Sequence, residues 1–174
     1  MVKGLSILGS TGSIGVQALE VCDNLKINVA ALIANSNGKL MERQIRKFHP
    51  KVAALFDEKA AKSLRSAVRD TDTKILQGRE GVLEAVVHPD ADTVLTSVVG
   101  IAGLLPTMAA IEAGKNIALS NKETLVTAGK IVKDAAKRKG VSLIPVDSEH
   151  SAIFQSLAGN RARDVKDGGM LAVH

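Results

Sequence analysis

Residues 5–15, LSILGSTGSIG, decide the fold class of this 174-residue chain. A strand pattern at Leu5–Leu8 runs into a glycine loop at Gly9–Gly15, whose spacing is G-x-x-G-x-x-G. A helix is predicted from Ile14 to Leu25, with an apolar face formed by Ile14, Ala18, Val21, Cys22 and Leu25. Glycines at such a turn let the backbone approach a pyrophosphate, and the helix N-terminus favours its negative charge. The segment therefore predicts a dinucleotide site, with a purely structural turn as the alternative.

Short apolar runs and helical patterns alternate from there to residue 146. Further strands are predicted at Val29–Ala34, Val52–Phe56, Lys74–Leu76, Thr93–Val99, Asn116–Leu119 and Ser142–Val146. Helical patterns separate them at 40–48, 58–68, 79–87, 104–113 and 123–138. Strands joined by helical crossovers run parallel, so we expect an α/β fold with a doubly wound, mostly parallel, Rossmann-like sheet covered by helices on both faces. Residues 1–150 form the predicted nucleotide-binding domain.

The composition is that of an ordinary soluble protein, with 45% hydrophobic and 24% charged residues. Three phenylalanines are the only aromatic residues, so the core must be aliphatic, as in buried parallel strands. The single cysteine, Cys22, excludes an internal disulfide and a cysteine-clustered zinc site, and it suggests a reducing compartment. No apolar run approaches the roughly 20 residues of a membrane span. We therefore expect a cytoplasmic protein that does not bind a membrane.

The net charge of +5 is unevenly distributed. Residues 39–69 contain nine basic and three acidic side chains. The basic ones are Lys39, Arg43, Arg46, Lys47, Lys51, Lys59, Lys62, Arg65 and Arg69. Nucleic-acid binding is one interpretation, but the helical spacing of these charges is more typical of solvated helix faces. We expect no nucleic-acid partner. The same charges could attract a phosphate-bearing cofactor.

The end of the second predicted strand bears on the type of cofactor. NAD-binding sites usually place a carboxylate there for the ribose 2′-hydroxyl, whereas this chain reads ANSNGK at residues 34–39. Neutral polar groups followed by Lys39, Arg43 and Arg46 favour the 2′-phosphate of NADP. The alternative is that these three cations are ordinary surface charge.

Polar side chains also follow two later strands. Asn121-Lys122-Glu123 follows one apolar run, and Asp147-Ser148-Glu149-His150 follows another. Ligands of open α/β sheets bind at the carboxyl ends of strands, so these segments and the glycine loop should share one rim. In an extended chain Asp147 and Glu149 point to the same side, and paired carboxylates suit Mg²⁺ or Mn²⁺. Capping of a following helix is an equal alternative for them. His150 is expected to be structural.

Four segments resemble, in order, signature segments of the 1-deoxy-D-xylulose 5-phosphate reductoisomerase family. They are GSTGSIG at 9–15, VGIAGLLPT at 99–107, NKETLV at 121–126 and PVDSEHSAIFQSL at 145–157. The resemblance implies an oxidoreductase and isomerase of non-mevalonate isoprenoid biosynthesis. Such an enzyme converts 1-deoxy-D-xylulose 5-phosphate to 2-C-methyl-D-erythritol 4-phosphate with NADPH and a divalent metal, Mg²⁺ or Mn²⁺.

The resemblance also implies a role for each matching residue. Cofactor-binding roles fall on Thr11, Gly12, Ser13, Ile14, Asn37, Asn121 and Glu123. Lys122 and Ser148 match substrate-binding residues, and Asp147 and Glu149 match two of three metal carboxylates, Glu149 also facing the substrate. Catalytic roles therefore fall on Lys122, Asp147 and Glu149. At Ser36 many members have Lys or Arg instead, so the residue that binds the 2′-phosphate in this chain is left open.

The family pattern runs longer than this chain. The resemblance implies that residues 151–174 begin a catalytic domain in truncated or divergent form, since only Asp164 and Asp167 are acidic after Glu149. We therefore expect the chain alone to bind nucleotide without full catalysis, and the full-length protein to be a homodimer. One alternative is another NADP-dependent oxidoreductase, although a catalytic Tyr is absent and Cys22 lies within the first helix pattern. The other is a noncatalytic nucleotide-binding or nucleic-acid-binding module.

Overall fold

The computed structural model describes residues 2–98, 101–120 and 122–146, with the side chains of residues 101 and 122–128 outside that description. The strands are β1 Leu5–Leu8, β2 Val29–Ala34, β3 Val52–Leu55, β4 Lys74–Gln77, β5 Thr93–Thr96, β6 Asn116–Leu119 and β7 Leu143–Pro145. The α-helices are α1 Ser13–Leu25, α2 Gly38–Phe48, α3 Glu58–Ala67, α4 Gly78–Val86, α5 Leu104–Glu112 and α6 Lys122–Lys139, and a 3₁₀ turn spans Ile101–Gly103. The predicted alternation is confirmed.

The seven strands form one sheet in the order β4-β3-β2-β1-β5-β6-β7, and every adjacent pair is parallel. The chain winds outward from β1 in one direction and then returns beside β1 to wind in the other. The order therefore reverses between β1 and β5, and such a switch point is where ligands bind in doubly wound sheets. The predicted doubly wound parallel sheet is confirmed.

Two apolar layers hold the helices to opposite faces of the sheet. Helices α1, α2 and α3 pack on one face through Leu19, Cys22, Met41, Ile45, Ala61 and Leu64. Helices α4, α5 and α6 pack on the other through Val82, Ala85, Val86, Ala110, Ile111, Val132 and Ala135. Both layers are aliphatic, and the central strands β1, β2, β3 and β5 are buried along their whole length. Burial on both faces explains why these strands read as continuous apolar runs.

The apolar face predicted for α1 is wrong for Ile14, Val21 and Leu25, whereas Cys22 is buried and Ala18 packs against the same layer, as predicted. The buried residues of α1 are Gly15, Leu19 and Cys22, whereas Ile14, Val21 and Leu25 are 37%, 50% and 67% exposed. The cause lies at Gly15, where a Cβ atom would overlap the Gly9 carbonyl oxygen and lie 2.6 Å from the Ser10 Cα. Because the glycine loop must approach α1 on the Gly15 side, the helix is rotated away from the face that the apolar count favoured.

The only cysteine is buried in the first of these layers as a free thiol. Burial raises the pKa of the Cys22 thiol, so the reactive thiolate is disfavoured at neutral pH. This agrees with the inference that Cys22 is not a nucleophile. Among the helices of the described residues, none is long and apolar enough to cross a membrane.

An ion-pair cluster at the C-terminal ends of α5 and α6 should make stability depend on pH. Glu112 lies 2.6 Å from an Arg138 guanidinium nitrogen and 3.0 Å from Lys139 Nζ. Hydrogen bonds from Lys139 and Arg138 lower the pKa of the Glu112 carboxyl. A lowered pKa stabilises the fold above the ordinary carboxyl pKa, and that contribution is lost as the pH falls through the folded-state pKa.

We expect Glu112→Gln to lower Tm slightly at neutral pH and low salt, with the difference from the unsubstituted chain vanishing in acid. The effect should be small because the carboxylate is exposed to solvent. Thermal unfolding of both proteins from neutral pH to about pH 2 measures it. A Tm difference that persists in acid would contradict this assignment.

Candidate functional site

The glycine loop begins with a tight turn directly after β1. Gly9 has a φ of +96°, and a Cβ atom there would lie 2.7 Å from Ser97 Oγ, so only glycine fits without strain. The amides of Gly9 and Ser10 both donate to the Ile33 carbonyl of β2, at 2.8 and 2.9 Å. Ser97 Oγ, at the end of β5, donates to the Leu8 carbonyl at 2.9 Å. The start of the loop is therefore fixed by the strands on both sides of β1.

The other end of the loop presents free backbone donors. Gly12 is the N-cap residue of α1 and supplies no side-chain cap, whereas Asn37 and Asp57 cap α2 and α3 through their side chains. Within the described residues, the amides of Ser13, Ile14 and Gly15 at the start of α1 donate to no protein acceptor. Such amides, together with the helix dipole, attract an anion. The loop and helix therefore form a cradle suited to a pyrophosphate.

The predicted cofactor residues of this loop lie at the open side of that cradle. Gly12, Ser13 and Ile14 are exposed, and Thr11 is half-buried. Ser10, one residue earlier, is fully buried. The change from a buried anchor to an exposed rim within two residues leaves the surface accessible to a ligand while its backbone stays fixed.

Among the predicted cofactor residues after β2, Asn37 and Arg46 form contacts within the protein. Asn37 Oδ1 accepts a hydrogen bond from the Leu40 amide at 3.1 Å, so the side chain expected near the ribose also caps α2. Arg46 contacts Glu42 at 3.0 Å and Asp70 at 2.7 Å. This interaction lowers the pKa of the Asp70 carboxyl. Arg46 is thus engaged in protein contacts, which counts against the interpretation that it reads a 2′-phosphate.

Two other cations of α2, Lys39 and Arg43, differ from Arg46 in having no ion-pair partner among the described residues. Lys39 and Arg43 are exposed, lie one helical turn apart, and form no ion pair within the part of the chain that the structure describes. Lys39 lies in the first turn of α2, directly after the end of β2. Of the three cations named from the sequence, these two are available to an anion.

The strands end along a common rim. One row of Cα partners crosses the sheet through Leu76, Ala54, Ile33, Leu8, Thr96, Leu119 and Pro145. The glycine loop follows Leu8, and the first turn of α6, with Lys122 and Glu123, begins three residues after Leu119. Three strand spacings separate β1 from β7, or about 14 Å at roughly 4.8 Å each. The glycine loop, the start of α6 and the end of β7 therefore lie at the same rim of the sheet.

Several predicted site residues fall outside the described residues: Asn121, Asp147, Ser148 and Glu149, along with His150. The side chains of Lys122 and Glu123 are likewise not described. Strand β7 ends at Pro145, two residues before Asp147, so the chain reaches the rim just before the predicted metal carboxylates. Within the ranges that are described, no three His, Cys, Asp or Glu side chains cluster as metal ligands.

A cleft of about 450 Å³ opens at this rim on the α4 and α5 side of the sheet. It is lined by Phe56, Arg79, Val82, Leu83, Ala102, Leu104, Leu105 and Pro106. The cleft could not be predicted from the sequence, because apolar residues at helical spacing normally indicate core and its lining comes from segments far apart in the chain. Its walls are apolar apart from the side chain of Arg79.

The fold and the glycine loop together define an α/β protein of the doubly wound class. The sequence model of the 1-deoxy-D-xylulose 5-phosphate reductoisomerase family matches residues 5–129. The chain therefore belongs to this family. The family predicted from the four segments is therefore confirmed.

Individual relatives agree. The 1-deoxy-D-xylulose 5-phosphate reductoisomerase of Acetivibrio thermocellus is 58% identical over 165 residues, which cover 95% of this chain and 43% of that protein. The Ruminiclostridium cellulolyticum protein of the same name is 52% identical over 166 residues, covering 95% and 44%. The Zymomonas mobilis enzyme, solved in complex with NADPH, superposes with a TM-score of 0.86 at 36% identity, covering 93% of this chain and 43% of that one. The chain thus spans less than half the length of these relatives.

Proposed function

We propose that this chain binds NADPH along the carboxyl rim of its sheet, with the pyrophosphate on the N-terminus of α1. The observation that carries the proposal is the cradle itself: Gly15 leaves room for the loop, and the amides at the start of α1 donate to no acceptor among the described residues. Thr11, Gly12, Ser13 and Ile14 would contact the pyrophosphate. The NADPH complex of the Zymomonas mobilis relative supports this choice of cofactor.

We further propose that the chain belongs to a protein with 1-deoxy-D-xylulose 5-phosphate reductoisomerase activity. Asp147 and Glu149 would hold Mg²⁺ or Mn²⁺, Ser148 and Lys122 would bind substrate, and Asn37, Asn121 and Glu123 would complete the cofactor site. A bound divalent metal polarises a carbonyl and stabilises developing negative charge on oxygen. A related enzyme solved with NADPH, fosmidomycin and magnesium, 39% identical with a TM-score of 0.85, supports this pairing of cofactor and metal.

The protein residues contribute binding and orientation in this scheme. The amides of α1 hold the cofactor by its phosphates, and the switch point between β1 and β5 sets the direction in which the cofactor crosses the rim. Lys122, at the start of α6, would bring a positive charge to the substrate. Domain limits of 1–150 and 151–174, a cytoplasmic location and a homodimeric full-length protein belong to the same proposal.

The cations of α2 offer a test of cofactor preference. We expect Lys39→Ala and Arg43→Ala each to weaken NADPH binding about three- to tenfold and to leave NADH binding nearly unchanged, because only NADPH carries the 2′-phosphate. Fluorescence titration with both nucleotides measures the two affinities. Lys133→Ala, an exposed cation on α6, is the matched control and should change neither. Equal losses for both nucleotides would mean that Lys39 and Arg43 act on something other than the 2′-phosphate.

Turnover is tested separately from binding. We expect these 174 residues alone to oxidise little or no NADPH in the presence of 1-deoxy-D-xylulose 5-phosphate and Mn²⁺, because two carboxylates supply an incomplete ligand shell for a hard cation. Substrate-dependent oxidation of NADPH by this chain would contradict that expectation.

Tight, salt-dependent binding of DNA or RNA without NADPH affinity would favour the alternative of a nucleic-acid-binding module.

A further inference from the structure

A buried glutamine on α2 reaches into the glycine loop. Gln44 is 5% exposed, and its Nε2 donates to the Ser10 carbonyl oxygen at 2.7 Å. Ser10 itself is fully buried, and its amide is already bonded to the Ile33 carbonyl. The Ser10 residue is thus held at its amide by the sheet and at its carbonyl by a side chain of α2.

The carbonyl that Gln44 holds belongs to the peptide group joining Ser10 to Thr11. In a trans peptide the C=O and N–H bonds point in opposite directions. Because Gln44 holds the Ser10 carbonyl, the Thr11 N–H points away from Gln44. A reversed peptide would present a carbonyl oxygen on that side and repel a phosphate.

The chemistry of position 44 is poorly explained by packing alone. The neighbouring buried side chains of α2, Met41 and Ile45, are apolar. Gln44 Oε1 accepts no hydrogen bond within the described residues, so burying this amide costs free energy that an apolar side chain would avoid. An interaction with the loop that an apolar side chain cannot make accounts for a glutamine at this position.

We propose that Gln44 is a positioning residue for the cofactor: it fixes the Ser10–Thr11 peptide so that the Thr11 N–H faces the pyrophosphate. This inference rests on the proposed function and deepens it, since it concerns how the same site recognises phosphate. It predicts that loss of the Nε2 donor weakens NADPH binding without loss of the fold.

The test compares Gln44→Met, which keeps length and removes the donor, with Thr73→Val. Thr73 is also buried, and its Oγ1 donates to the Pro50 carbonyl at 2.8 Å. Both residues lie just before β3 and β4, at the N-terminal ends of the strands and away from the glycine loop. Both variants lose one buried bond from a side chain to a backbone carbonyl. Only Gln44→Met should lower NADPH affinity, by about tenfold, with Thr73→Val within about twofold of the unsubstituted chain.

The Thr11 amide supplies a readout that mere destabilisation would not move. In ¹H–¹⁵N spectra of the nucleotide-free chain, Gln44→Met should shift the Thr11 signal, and Thr73→Val should leave it unchanged. If the unsubstituted chain binds NADPH and Gln44→Met binds equally well, the positioning role is overturned and the proposed function stands. Equal affinity losses in the two variants also overturn the role. Absence of NADPH binding by the unsubstituted chain overturns both proposals.

Discussion

Replacing Gly15 with alanine is expected to weaken NADPH binding at least tenfold and to destabilise the fold by about 1–3 kcal/mol, the usual cost of overfilling a packed site. The added Cβ atom would overlap the Gly9 carbonyl oxygen and lie 2.6 Å from the Ser10 Cα. Both contacts are backbone, so no side chain can rotate to relieve them. Either the glycine loop or the start of α1 must move, and the phosphate cradle is lost with it.

Gly129→Ala is the matched control for this substitution. Gly129 also lies within a helix, α6, and a Cβ atom there meets no atom of the described residues within 4 Å. Alanine should stabilise that helix by about 0.4–1 kcal/mol and leave NADPH affinity unchanged. Titration with NADPH and urea unfolding of the two variants measure both quantities. Normal NADPH binding by Gly15→Ala would refute the close approach of loop and helix.

Replacing Ile33 with alanine is expected to cost about 2–5 kcal/mol of unfolding free energy, the range for large-to-small substitutions in cores. Ile33 is fully buried in β2 and packs in the layer beneath α4, α5 and α6. Its backbone carbonyl also accepts the Gly9 and Ser10 amides. Loosening of this strand should therefore reach the glycine loop, and NADPH affinity should fall together with stability.

Ile131→Ala is the matched control, because it removes the same atoms from an exposed isoleucine. Ile131 is 63% exposed on α6, so Ile131→Ala should change the unfolding free energy by less than about 0.5 kcal/mol. Urea titration of both variants, followed by circular dichroism, gives the two values. Similar costs for the two substitutions would contradict the assignment of Ile33 to the core of a central strand.

Much of the fold could be predicted because each strand carries its own signal. Strands such as Val29–Ala34 are buried on both faces, so they read as unbroken apolar runs. The helices between them keep a helical period because one side faces solvent. Parallel order then follows from the crossover rule, without any knowledge of long-range contacts.

The orientation of α1 could not be predicted in the same way. Counting apolar residues placed Ile14, Val21 and Leu25 inside, but the glycine loop packs against Gly15 and turns them toward solvent. A glycine carries no hydrophobic signal, so its role as the contact point is visible only when the loop is seen beside it. Periodicity alone therefore gave the wrong face.

The site was only partly predictable for a related reason. The glycine loop has a motif with a mechanism, and the assignment of Thr11, Gly12, Ser13 and Ile14 to the pyrophosphate stays a prediction. Nothing in the sequence distinguishes Gln44, which holds the loop, from a surface glutamine. Nor does it distinguish Arg46, which pairs with Asp70, from Lys39, which forms no ion pair with any described residue. These distinctions depend on contacts between residues far apart in the chain.

The central claim is that this chain binds NADPH at the glycine loop and prefers it to NADH. Calorimetric titration of the purified 174-residue chain with each nucleotide at the same ionic strength tests the claim most directly. We expect one NADPH site per chain and an affinity for NADH at least about tenfold weaker, because NADH lacks the 2′-phosphate. Absence of NADPH binding would contradict the cradle, and equal affinities for the two nucleotides would contradict the role given to Lys39 and Arg43.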